Sequence, residues 1–164
     1  ISAYKHRLLH FIAISRGLMI GDPNDARHYL EVINNSEFLN YINIYSDICE
    51  NVFMIAHNND GFDELFLRFH LQKFSTPAKK LELPDNLIFI DSMRMAQLIL
   101  PHMNYFSQVT LSKYYNIHNP SAHRAISDAE TLQKLFNVLY TIFYQTYKTK
   151  DLKYIKYKIQ NPYN

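Results

Sequence analysis

The sequence predicts an α/β fold, and three observations carry that expectation. Two short apolar runs, residues 52–56 and 87–90, are bounded by turn residues and read as buried strands. Each is followed by a stretch whose apolar residues recur at helical spacing. A longer pattern over about residues 125–144 sets Ile126, Ala129, Leu132, Leu135, Phe136 and Leu139 three and four apart, one face of a helix that can pack on a sheet. A chain of 164 residues is one domain by length and large enough for a single substantial core.

In chain order, residues 7–15 read as a strand whose His10 is expected to face solvent. Arg16-Gly17 turns the chain, residues 18–20 form a short returning strand, and residues 26–33 are helical. Ser36 suits a helix cap, with Phe38, Leu39, Ile42, Ile44 and Ile48 behind it. The lone Cys49 excludes an internal disulfide and is expected in the core. After the strand over 52–56, His57-Asn58 mark its carboxyl end, Asn59-Asp60-Gly61 turn, and Phe62-Asp63 open a helix to about Phe74 with Leu65, Phe66, Phe69 and Leu71 as its apolar residues.

Residues 75–84 read as a surface loop, and the second strand ends at Asp91-Ser92. Asp91 precedes Met93, Met95, Ala96, Leu98 and Ile99, so it reads as the cap of a core-packed helix rather than as a catalytic acid. Pro101 stops that helix, and residues 110–115 form another short one. The end of the chain, about residues 151–164, is a basic helix and tail. Lys148, Lys150, Lys153, Lys156 and Lys158 are interleaved there with Tyr147, Tyr154 and Tyr157. A solvated lysine face is the plain reading; lysines on phosphates and tyrosines under bases are the sharper one.

The formal charge of +2 is a weak argument for a polyanionic partner. No apolar run reaches the ~18 residues of a membrane span, and no signal-peptide pattern precedes Ile1. Together with the single cysteine this sets the expectation of an intracellular, reducing compartment without membrane contact.

Two clusters carry candidate chemistry. Asp63 follows the carboxyl end of a strand, where open α/β sheets place their sites. His123 and Asp128 stand five residues apart at the start of the long helix, and a carboxylate in the first turns of a helix is favoured by the backbone dipole. Taken together, His57, Asn58, Phe62 and Asp63, followed by His123, Arg124, Ala125, Asp128 and Ala129, resemble the second and third motifs of the DEDDh-type 3′–5′ exonucleases, the DnaQ-like group of the ribonuclease H-like superfamily. The spacer between His57 and Asp63 is closer to the three-prime repair exonuclease branch, and the similarity covers roughly residues 7–139.

The resemblance implies a ribonuclease H-like mixed sheet flanked by helices. It also implies hydrolysis of phosphodiester bonds at the 3′ end of single-stranded or frayed nucleic acid, DNA favoured over RNA, with two Mg²⁺ or Mn²⁺ ions. Asp63 and Asp128 would be metal ligands and His123 the general base. Asn58, Phe62 and His57 would line the substrate, with His57 favoured as structural. A homodimer is compatible with the sequence.

The family's first motif, Asp-x-Glu on a strand, is absent from these residues. The expectation is therefore that the sheet lacks its first, central strand, whose slot lies between residues 7–15 and 52–56, and that this chain turns over little or no substrate. Two other readings compete: an inactive exonuclease-like module that binds nucleic acid or a protein, and a hydrolase that holds a softer transition metal with His57, Asp63, His123 and Asp128.

Overall fold

A computed structural model of the chain describes residues 37–58, 63–120 and 125–164. The elements expected over 7–15, 18–20 and 26–33, the Ser36 cap, the exposure of His10, the 59–61 turn, Phe62, His123 and Arg124 lie outside the described residues. So does the slot between residues 7–15 and the first described strand.

The described chain is α/β. Its elements run α1 (Glu37–Ile48), β1 (Val52–Ala56), α2 (Asp63–Phe74), β2 (Leu87–Asp91), α3 (Ser92–Ile99), α4 (Gln108–Tyr114), α5 (Ala125–Tyr147) and α6 (Leu152–Gln160). β1 and β2 pair in parallel, from Val52 opposite Leu87 to Ala56 opposite Asp91. Parallel strands need a crossover, and α2 with the 75–86 segment supplies it.

Strand alternation sorts the core into two layers. Met54, Leu87 and Phe89 pack with Leu39 and Ile42 of α1 and with Leu67 and Leu71 of α2. On the other side Ile90, with Phe53 and Ile55 against it, meets Met95, Ala96 and Ile99 of α3, Leu111 of α4, Leu135, Leu139 and Phe143 of α5, and Ile155 of α6. Burying a large aliphatic or aromatic side chain is worth about 1.5–3 kcal/mol, so these layers set the positions of the strand ends.

Polar side chains set several boundaries. Asp91 caps α3, accepting from the Met93 and Arg94 amides, as its sequence position predicts. Ser107 caps α4 and Asp151 caps α6 in the same way. Asn86, one residue before β2, clamps the end of α1: its amide donates to the Ser46 carbonyl at 2.9 Å and the Cys49 carbonyl at 3.1 Å, and it accepts from the Ser46 hydroxyl at 2.6 Å.

Four expectations need correction. Cys49 is exposed, because it lies beyond the end of α1 and outside both layers. The residues expected to carry the apolar face of α2 divide: Leu71 is buried, but Leu65 and Phe69 are about three-fifths exposed, and Leu67, not among the residues expected there, is buried. That helix carries apolar residues nearly all round, so periodicity alone does not choose the side that meets the sheet. On α1, Ile44 and Ile48 are exposed, while Leu39 and Ile42 reach the core. Finally, α4 begins at Gln108 rather than Thr110, set by the Ser107 cap, and α5 runs on to Tyr147. Among the described residues no helix is long and apolar enough to cross a membrane.

Candidate active site

The parallel register brings two strand ends side by side, so the residues that follow Ala56 and those that follow Ile90 share one rim. There they are laced together. Asp91 Oδ1 accepts from the Asn58 amide at 2.9 Å while also capping α3. Asn58 sits at φ 62°, in the left-handed region that asparagine tolerates better than most residues. Its backbone is thus locked and its side chain exposed at the strand end.

His57 is buried beneath that rim, 5% exposed. Its Nε2 lies 2.7 Å from the Phe106 carbonyl. A carbonyl only accepts, so Nε2 carries a proton. Its Nδ1 lies 2.8 Å from the Ser92 hydroxyl, which also reaches the Ala56 carbonyl at 3.1 Å. The imidazole therefore pins the 104–107 segment to the end of β1.

These constraints shape a cleft of about 710 Å³. His57, Asn58 and Asp63 form one side, Met93 and Gln97 of α3 another, and residues 104–108 the third. Asp63 is the first residue of α2 and is buried in the wall, so its carboxylate lies at the positive end of a helix. Side-chain amides of Asn58, Gln97, Asn104 and Gln108 and the aromatic rings of Tyr105 and Phe106 complete the lining. Such amides can hydrogen-bond a base or sugar, and the rings can stack on a base.

Asp128 stands half-buried in the first turn of α5. It is not itself among the residues that line the cleft. Gln108 joins the two: it lines the cleft and donates its side-chain amide to the Asp128 carbonyl at 2.7 Å. The Asp128 carboxylate accepts from the Asn119 amide at 2.7 Å, and Asn119 in turn accepts from the Ser127 hydroxyl. Of the six residues singled out from the sequence, His57, Asn58 and Asp63 meet in one cleft and Asp128 stands one hydrogen-bonded residue behind it. Phe62 and His123 fall outside the described residues.

Sequence reasoning missed Ser92, Phe106, Gln108 and Asn119. Their bonds span 8–49 positions along the chain, and no local pattern announces such partners. Among the described residues no group of three or more His, Cys, Asp or Glu side chains converges as a metal site. Comparison with protein-family models, curated proteins and solved structures finds no match to this chain.

Proposed function

We propose that the cleft is the site of a metal-dependent 3′–5′ exonuclease acting on single-stranded or frayed ends, and that the parallel β1–β2 pair belongs to a ribonuclease H-like sheet. The observation that carries the reading is the placement of the two motif acids. Asp63 opens α2 in the cleft wall, and Asp128 stands in the first turn of α5, its main-chain carbonyl held by Gln108 of the cleft, although more than sixty residues separate them in sequence.

The donor type fits a hard divalent cation, since both groups are carboxylates. Their number is smaller than the four acids the resemblance implies, which favours weak binding. Asp63 and Asp128 would hold Mg²⁺ or Mn²⁺, which supplies charge neutralisation at the attacked phosphate and a more acidic water. Within the chain, His123 would accept the proton of that water, a role worth about 10²–10⁴-fold. Asn58 and Phe62 would contact the terminal nucleotide, and His57 holds the 104–107 wall in place through Phe106. The backbone and a free 3′ hydroxyl are read rather than base sequence.

One observation favours the second reading, an inactive nucleic-acid-binding module: the Asn119 amide already occupies Asp128 Oδ1. Mn²⁺ binding followed by electron paramagnetic resonance separates the two, because two acids can bind a metal without completing a turnover. The exonuclease reading expects weak Mn²⁺ binding that Asp63→Asn and Asp128→Asn each diminish. A 3′-labelled oligonucleotide should be digested slowly or not at all by this chain. Mn²⁺ binding indifferent to both substitutions sinks the reading, and so does brisk digestion that survives them.

A further inference from the structure

The corner where α5 meets α6 carries a second surface, apart from the cleft. Residues 148–160 hold five lysines against one acid, Asp151, in a chain whose whole formal charge is only +2. Aromatic rings run through this basic patch without a break. Phe143 and Tyr147 lie 4.5 Å apart between centroids, Tyr147 and Tyr154 6.1 Å, and Tyr154 and Tyr157 6.2 Å. The chain of rings starts in the core at Phe143 and ends in solvent, where Tyr144, Tyr154 and Tyr157 are exposed. Cations already sit on ring faces here: Lys150 Nζ is 5.2 Å from the Tyr144 centroid and Lys158 Nζ 5.5 Å from that of Tyr147.

Helical geometry explains the strip. Ile155 is buried and Ile159 packs beside it on the core, which leaves Tyr157 facing away. Tyr154 stands at the border, its ring edge-on to the buried Phe143 at 6.2 Å between centroids and partly open to solvent. Lys153 is engaged by Glu50 at 2.8 Å, which fastens α6 to the turn before β1. A lysine face that serves solvation alone has no need of exposed rings in register with it. Positive charge and exposed ring faces complement a polyanion that also carries flat rings.

We propose that this strip is a track for single-stranded nucleic acid, with bases stacked on Tyr154 and Tyr157 and phosphates drawn to Lys148, Lys150 and Lys156. The proposal deepens the nucleic-acid reading of the cleft and rests on it for the nature of the ligand. Each stacked base typically contributes enough that removing its ring costs roughly fivefold to a hundredfold in affinity.

The test is fluorescence anisotropy of a 5′-labelled oligothymidylate and its RNA counterpart with the full chain in EDTA, so that no hydrolysis intervenes. Tyr157→Ala should weaken binding at least fivefold and Tyr157→Phe should leave it within twofold. Lys150→Gln should reduce the slope of log affinity against log salt by about 0.7. Tyr157 is exposed at the end of the ring series, and circular dichroism of Tyr157→Phe beside Tyr157→Ala verifies that the helix is kept.

Three results overturn the track: affinity unchanged in Tyr157→Ala, an equal loss for heparin (a polyanion without bases), or tighter binding to anionic phospholipid vesicles than to either strand. Failure of the cleft reading looks different. A chain that binds oligothymidylate through Tyr157 yet shows no Asp63-dependent Mn²⁺ binding keeps the track and loses the nuclease. Asp63-dependent metal binding with no effect of Tyr157→Ala does the reverse.

Discussion

The side-chain amide of Gln108 donates to the Asp128 carbonyl at 2.7 Å, so the wall of the cleft and the first turn of α5 are held as one piece. Among the described residues, Gln108 both lines the cleft and hydrogen-bonds Asp128. Replacing it with alanine should cost about 0.5–1.5 kcal/mol, a drop of a few degrees in melting temperature for a chain of this size. If the cleft holds metal through both acids, Gln108→Ala should also weaken Mn²⁺ binding while leaving Asp63 in place. A variant with lowered stability but unaltered Mn²⁺ binding shows the link to be purely structural.

His57 gives a sharper stability prediction. His57→Leu fits the buried space but leaves the Phe106 carbonyl without its donor and changes the partners of Ser92. An abandoned buried polar group costs about 1–3 kcal/mol, and a denaturant titration should show a loss in that range. Protection of the 104–107 amides from hydrogen exchange should fall first, because those residues are what the imidazole pins. A fully stable His57→Leu would remove His57 from its structural role.

Asp91 separates capping from catalysis. Asp91→Ala removes the acceptor of three amides, those of Asn58, Met93 and Arg94, and should destabilise by about 2 kcal/mol, a cap loss plus a stranded amide. Asp91→Asn retains an acceptor oxygen and should cost clearly less. Mn²⁺ binding should be the same in Asp91→Asn as in the parent chain. A selective loss of metal in that variant would falsify the capping assignment and promote Asp91 to a ligand.

Alkaline pH should lower the stability of the fold through Tyr147 and Tyr115. Burial, with Tyr154 nearby as a smaller contribution, raises the Tyr147 phenol above its ordinary value near 10, and burial does the same for Tyr115. The sign follows from linkage: the unfolded chain gives up these protons first. The stability they confer is whole below about pH 10 and is lost as pH rises through their folded values. Thermal melts over that interval should show a falling midpoint, and Tyr147→Phe should flatten the fall. An unchanged slope in Tyr147→Phe would reassign the alkaline transition to other tyrosines.

How far the chain could be read beforehand varies by element. The buried face of α5 was legible because its apolar residues form one stripe, and Ala129, Leu132, Leu135 and Leu139 are all buried. The Asp91 cap was legible because capping depends on residues within one turn. The orientation of α2 was legible only in part: Leu71 was named and is buried, but Leu65 and Phe69 are as regularly spaced as Leu67, and only the sheet beneath decides which of them meets the core. Cys49 was misplaced because composition says where cysteines usually go, not where a helix stops.

The sequence by itself determined the local half of this protein: two apolar strands, the helices after them, and an acid at the start of α2 and of α5. These depend on neighbours within a few positions, where spacing and capping act. The tertiary structure alone decided that Ala56 stands opposite Asp91, that His57 reaches Phe106, and that Gln108 reaches Asp128. Such hydrogen bonds follow from the parallel register and the packing of two core layers, and amides or carbonyls tens of residues apart leave no periodic trace along the chain.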